Sequence, residues 1–136
     1  MNKIPEKQVA ALPYRRHGKG VDVLLITSRE TRRWVIPKGW PMVGKTDWVA
    51  AAVEAFEEAG LEGNIGAQSL GSYHYVKRKK SGDIDCEVVV YPLEVSELLR
   101  NWPERHERRR KWFPAKVAAG KVNEEGLRAI IQASLA

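Results

Sequence analysis

Residues 46–61, TDWVAAAVEAFEEAGL, constrain the chain more than any other stretch. Alanine and glutamate favour a helix, Thr46 or Asp47 can cap its first turn, and Gly60 followed by Leu61 fits a left-handed stop with its apolar contact. The spacing predicts a helix with Val49, Ala52, Val53, Phe56 and Ala59 on one side as the core-facing stripe. Glu54, Glu57 and Glu58 stand at i, i+3 and i+4 on the other side. Like charges at those separations destabilise a helix by roughly 0.2–0.5 kcal/mol per pair, so a solvated acidic stripe is the plain explanation. A hard divalent cation reverses the sign. Mg²⁺ prefers carboxylate oxygens and keeps positions open for water and phosphate, which turns clustered acid into a ligand set.

The flanking segments predict an α/β chain. KQVAALPYRR (7–16) and VDVLLITS (21–28) have strand length and are joined by HGKG, so they are expected to form a hairpin. RWVIP (33–37) reads as a short strand ended by Pro37. SLGSYHYVK (69–77) and CEVVVYPLEV (86–95) read as two more strands, the second the most buried of all. Tyr73 and Tyr75 alternate along their strand and so share a face. NEEGLRAIIQASL (123–135) predicts a closing amphipathic helix with Asn123 as N-cap and Leu127, Ile130, Ile131 and Leu135 on its apolar side. Strands interleaved with helices in this order imply a mixed sheet with helices packed on its faces.

A chain of 136 residues is expected to form one domain and to bury roughly two-thirds of its unfolded surface. Its formal net charge of +6 favours anionic partners: phosphorylated small molecules, nucleic acid or an acidic membrane surface. The single cysteine, Cys86, cannot close an internal disulfide and has no histidine tied to it by pattern. No apolar run approaches the length of a membrane span, and the N-terminal residues lack a signal-peptide core. These features point away from export and membranes and make the cytoplasm the expected compartment. His17, His74 and His106 are scattered without zinc spacing.

Read from Gly39, the helix and its preceding loop resemble the Nudix box. That pattern is Gly, five residues, Glu, seven residues, Arg-Glu, an apolar residue, any residue, Glu-Glu, any residue, Gly and an apolar residue. Gly39, Glu54, Ala55, Glu57, Glu58, Gly60 and Leu61 fall in register. Lys45 stands where the pattern has its first Glu, and Val53 where it has Arg. The R-W-x-x-P-K-G run from Arg33 to Gly39, the pair Ser28-Arg29 and the run RRRKWF from Arg108 to Phe113 are similar to the diphosphoinositol-polyphosphate branch of that family.

The resemblance implies a single Nudix hydrolase domain over residues 1–136, with the box at 39–61. Its fold would be an α/β/α sandwich, a mixed β-sheet flanked by helices. The implied chemistry is Mg²⁺-dependent hydrolysis, with Mn²⁺ able to replace Mg²⁺, of a diphosphate linkage in a polyphosphorylated small molecule. A dinucleoside polyphosphate or a diphosphoinositol polyphosphate is the implied substrate. Glu54, Glu57 and Glu58, with the backbone at Lys38 and Gly39, would hold metal, and Glu57 would act as base. Thr27, Ser28, Arg29, Lys38, Arg108, Arg110 and Lys7 would hold substrate.

In family members the box Arg braces the glutamates through ion pairs, a support that Val53 cannot provide. Asp85 and Glu87 place acid where this branch carries a basic residue, which favours a less densely charged substrate. Two other readings compete. Lys45 and Val53 suit a ligand sensor of the same fold that has lost catalysis. RNWPERHERRRKW (100–112) interleaves cations with aromatics as nucleic-acid binders do, although Glu104 and Glu107 can neutralise it at helical spacing, which argues against nucleic acid as primary partner.

Overall fold

The computed structural model describes residues 4–135. In chain order its elements are β1 (Glu6–His17), β2 (Gly20–Thr27), β3 (Trp34–Val35), β4 (Lys38–Gly39), α1 (Asp47–Ala59), β5 (Leu61–Ile65), β6 (Gly71–Lys77), β7 (Ile84–Leu98), β8 (Arg110–Pro114), α2 (Ala115–Lys121) and α3 (Glu125–Ser134). The strands form one mixed sheet. β1 and β7 run parallel at its centre, from Glu6 opposite Cys86 to Tyr14 opposite Glu94, and all other pairings are antiparallel.

Helices cover both faces of this sheet, which explains why β1 and β2 read as continuous apolar runs instead of alternating ones. Val9, Ala11, Leu24, Ile26, Tyr91 and Leu93 point to the layer shared with α1. Their neighbours Ala10, Leu12, Val23, Leu25, Val88 and Val90 point to the opposite layer, shared with α2 and α3. β1 is the more continuously buried strand, from Gln8 to Pro13, whereas β7 alternates, so the expectation that residues 86–95 are the most buried does not hold. Tyr73 and Tyr75 both pack on the α2–α3 side, and Trp34 meets Phe113 edge-on at 5.0 Å in the same layer.

The predicted hairpin forms, turning at Gly18 with φ +62°. Of RWVIP only Trp34–Val35 forms a strand, β3, paired with β2, and beyond Pro37 the unanticipated β4 pairs with β1 through Val9 opposite Gly39 and Ala10 opposite Lys38. That pairing ties Lys38 and Gly39 to the sheet under α1. β5, β8 and α2 were not anticipated. Glycine and acid in LEGNI hide β5, which bulges at Glu62/Gly63, and the cationic run hides β8.

α1 begins and ends as predicted. Thr46 Oγ1 accepts from the Val49 N–H at 3.3 Å, and Gly60 adopts φ +66° with its N–H directed to the Ala55 and Phe56 carbonyls. The buried face is different. Ala50, Ala51, Ala55, Glu58 and Ala59 meet the sheet, whereas Val49 and Phe56 are exposed and Ala52 and Val53 lie between. Small side chains let the helix backbone approach the sheet, and close approach rather than summed hydropathy chose the face. At α3, Glu124 and not Asn123 occupies the N-cap position, with no side-chain cap bond, while Leu127, Ile130 and Ile131 are buried as predicted.

The segment between β7 and β8 is no solvated helix. It runs along the C-terminal end of α1 and satisfies carbonyls that a helix end leaves without partners. Glu57 O accepts from the Glu104 N–H at 3.0 Å, Glu58 O from Trp102 Nε1 at 3.1 Å, and Gly60 O from the Leu99 N–H at 2.8 Å. Arg110 Nη1 donates to Ala59 O at 2.8 Å while its guanidinium stacks 4.0 Å over Trp102. Among the described residues no helix is long and apolar enough to cross a membrane.

This junction makes Gly60 a sensitive point. A Cβ there would lie 2.7 Å from the Trp102 ring and 2.9 Å from Arg110 Nη1, on a backbone already in the left-handed region. Gly60→Ala is expected to destabilise the fold by about 2–4 kcal/mol, combining left-handed strain with overpacking. Urea denaturation checks it; a loss under about 0.5 kcal/mol would show that the junction yields freely.

Candidate active site

A cleft of about 470 Å³ opens where β4, the C-terminal half of α1, the end of β2, β6 and the segment before β8 converge. Its floor is acidic. Glu58 is 7% exposed in the apolar layer between α1 and the sheet, one helical turn after Glu54. Burial, and then the neighbouring Glu54 carboxyl, push Glu58 up to about 9. Arg108 opposes that shift. Burial raises Glu54 as well, and the charge of Glu57 adds to the rise.

Gly39 makes this floor possible. A Cβ at position 39 would overlap the Glu54 carboxyl, so only glycine lets the carboxyl rest against the β4 backbone. Lys38, beside it, has its ammonium 4.9 Å over the Tyr75 ring, and burial lowers its pKa against the partial support of Glu58. Arg108 reaches in from before β8. Its Nη2 stands 3.5 Å from Glu58 Oε1 and its Nε 2.7 Å from Glu104 Oε1, while Nη1 donates to Thr27 O at 3.2 Å.

The walls carry the opposite charge. Arg29 and Arg33 come from the β2–β3 loop, and Lys77 and Arg78 from the end of β6. Ser28 closes that first loop: its Oγ accepts from the Arg33 N–H at 3.0 Å and meets Thr31 Oγ1 at 2.7 Å. Arg29 is half exposed and touches Glu107 only at 3.4 Å, so its guanidinium is available to a ligand. Cations around a small acidic floor, at the C-terminal end of β2, suit a polyanion delivered to a divalent ion.

Of the predicted site residues, Glu54, Glu58, Lys38, Gly39, Ser28, Arg29 and Arg108 line this cleft. Four do not. Lys7 is ion-paired with Asp47 at the start of α1, and Thr27 is buried with Oγ1 accepting from the Arg109 N–H at 2.9 Å. Arg110 gives its guanidinium to the carbonyls of Ala59, Gly60 and Leu99, and Glu57, although its charge acts on Glu54, is not among the lining residues. Lys45, at the first departure from the box, is exposed, and neither it nor Val53 lines the cleft.

Sequence reasoning missed Gln8, Arg33, Trp40, Tyr75, Lys77, Arg78 and Glu104. Gln8 is a polar residue inside an apolar strand, 2% exposed, and accepts from Tyr75 Oη at 2.7 Å. That break in the pattern was the available signal. Lys77 and Arg78 carry no signal in the sequence, and the pairing of β6 with β7 brings them to the cleft. Asp85 and Glu87 do not line it, which removes the argument they made against a densely charged substrate.

Among the described residues no three acids, histidines or cysteines converge as a complete metal cage. Two carboxylates against a strand backbone nevertheless suit Mg²⁺, which is commonly held by one or two carboxylates while water and phosphate oxygens complete its shell. The buried Glu58 beside Glu54 is the observation that fits: both carboxyls are raised, and a cation held between them would let both ionise.

A mixed sheet between helices, with an acid pair in the C-terminal half of α1 against the β4 backbone, defines an α/β fold with an acidic cleft at one end of its sheet. Residues 5–133 match the model of the NUDIX domain. The chain belongs to the Nudix family. It is 35% identical over 104 residues to Nudix hydrolase 12, mitochondrial, of Arabidopsis thaliana, covering 72% of this chain and 50% of the relative. It is 31% identical over 115 residues to human diphosphoinositol polyphosphate phosphohydrolase 3-alpha, covering 83% of this chain and 66% of the relative. The chain therefore spans between half and two-thirds of these relatives. The Ap4A hydrolase of C. elegans shares the fold, with a TM-score of 0.67 at 18% identity over 95% of each chain.

The raised Glu58 carboxyl sets a pH dependence. The unfolded chain releases this proton near 4.5 and the folded chain near 9, so the folded state binds more protons across that window. Stability contributed by this group therefore falls as pH rises through it. With metal chelated, Glu58→Gln is expected to be more stable than the parent at about pH 8, and the gap should close towards about pH 5. Lys38, whose value is lowered by burial, acts with opposite sign. Melting temperatures of both proteins across this range check it; a parent more stable than the variant at the alkaline end would contradict the assignment.

Proposed function

We propose that the chain is a Mg²⁺-dependent pyrophosphohydrolase acting on a diphosphate group of a densely phosphorylated small molecule, with Mn²⁺ able to replace Mg²⁺. One observation carries the reading: the buried Glu58 and the half-buried Glu54, whose carboxyl rests against the Gly39 backbone, form the floor of a cleft walled by arginine and lysine. Family membership supports it, as do relatives named as diphosphoinositol polyphosphate phosphohydrolases.

Glu54, Glu58 and the backbone at Lys38 and Gly39 would hold the cation. Such an ion, when bound, draws electron density from phosphate oxygens and makes water a usable nucleophile near neutral pH. The residues of the chain do the rest. Arg29, with the Lys38 ammonium, holds the non-reacting phosphates, and the planar fork of arginine suits paired bonds to phosphate oxygens. Lys77 and Arg78 hold the far side of a highly charged carrier. Water attacks one phosphorus of the P–O–P bridge, the bond from that phosphorus to the bridging oxygen breaks, and a carboxylate takes the proton of the water.

Glu54 is the better placed acceptor: it lines the cleft and is less buried than Glu58. Glu57, which holds the position the resemblance assigns to the base, is not among the residues that line it. The departures at Lys45 and Val53 lie outside the cleft, so the reading as a ligand sensor without catalysis gains no support from its geometry. The segment 100–112 is occupied in capping α1, which leaves its aromatics poorly placed to stack nucleic-acid bases.

Diphosphoinositol polyphosphates, diadenosine polyphosphates, nucleoside triphosphates and 5′-triphosphorylated RNA, assayed with and without Mg²⁺ and with products resolved by mass, test the reading. Mg²⁺-dependent release of phosphate is expected, highest in kcat/KM for the diphosphoinositol substrates. Binding without release would favour the sensor. Glu54→Gln is expected to lower kcat by about 100-fold or more and Glu57→Gln by less than about 10-fold; the reverse order would return the base role to Glu57.

A further inference from the structure

We propose that Arg108 is a positioning residue, which fixes the reactive geometry of Glu58 and Glu104 rather than binding substrate phosphate. The inference rests on the hydrolase reading and names a residue on which it depends. α1 itself, DWVAAAVEAFEEA, carries no cation, so the charge facing Glu58 must come from elsewhere in the chain. Arg108 supplies it from the segment before β8, with a side chain only 10% exposed.

Its guanidinium meets acceptors on three separate elements: the Glu58 carboxyl of α1, the Glu104 carboxyl of the capping segment and the Thr27 carbonyl that ends β2. A planar fork can satisfy all three at once, whereas an ammonium has no such directed geometry. Glu104 is held in turn by its N–H, which donates to Glu57 O. Arg108 thereby ties the acidic floor to the wall that carries Arg29. By contrast, Arg29 is half exposed with one long contact and is the guanidinium free to follow a phosphate.

The two roles differ in what they change. Loss of a positioning residue leaves ground-state binding intact and reduces turnover, while loss of a phosphate ligand weakens binding. Steady-state kinetics on the best substrate of the panel, together with calorimetric titration of its non-hydrolysable methylene-bisphosphonate analogue, separate them for Arg108→Met, Arg108→Lys and Arg29→Met. For Arg108→Met, kcat is expected to fall about 10–100-fold, as for groups that orient metal ligands, with KM and analogue Kd within about threefold. Arg108→Lys should recover only part of kcat, and Arg29→Met should weaken analogue binding about tenfold or more.

An Arg108→Met variant with kcat unchanged and with KM and Kd raised together would overturn the proposal, as would full rescue by lysine. Should the methionine variant fail to fold, Glu104→Met, which removes the acceptor of Arg108 Nε and no cation, gives the same discrimination: lowered kcat with unchanged analogue Kd supports it, and unchanged kcat overturns it. A parent protein that hydrolyses nothing in the panel refutes the function, while the titrations still show whether Arg108 binds the phosphates.

Discussion

A carboxyl group sits where α1 presses its alanine face onto the sheet, and the site is built around keeping it there. Glu58 is buried among Ala55, Ala59 and the strands beneath, an environment that penalises its charge. Three features accompany the position: a raised carboxyl that can keep its proton, a guanidinium from Arg108, and a glycine backbone at Gly39 against which the Glu54 carboxyl rests. A side chain at position 39 would displace the Glu54 carboxyl. Remove the segment before β8 and both the cation and the partners of the α1 carbonyls are lost together. Stability and site geometry therefore depend on the same contacts.

The basic composition finds its explanation here. On the proposed reading, a chain with excess positive charge concentrates acid on one helix because cations and acid would serve different parts of one anion: Arg29, Lys38, Lys77 and Arg78 would meet phosphates, and the acid pair the ion that accompanies them. The box departures at Lys45 and Val53 fit the same arrangement, since the counter-charge for Glu58 comes from Arg108, outside the box.

Local rules expressed much of this fold. Thr46 and Gly60 bound α1 as their chemistry requires, the β1–β2 hairpin follows its glycine turn, and the acidic spacing pointed to the cleft. What failed depended on contacts distant in sequence. Phe56 and Val49 looked like core residues because hydropathy ranks them above alanine, yet the helix lies too close to the sheet to admit them. Arg110 matched a substrate-binding run by position, but its guanidinium caps α1 because Leu99, Trp102 and Gly60 surround it. Lys77, Arg78 and Gln8 reach the cleft only through the parallel pairing of β1 with β7 and the β6–β7 register, which no window of sequence contains.

The central claim is that Glu54 and Glu58 form an acid pair shaped to exchange its proton for a divalent cation. Anomalous diffraction at the manganese edge, from crystals soaked in Mn²⁺ with a non-hydrolysable diphosphate analogue, tests it most directly. The account predicts a peak bounded by the Glu54 and Glu58 carboxyls and the Lys38–Gly39 backbone. Crystals that bind the analogue without such a peak, or that place the ion away from both carboxyls, would contradict it.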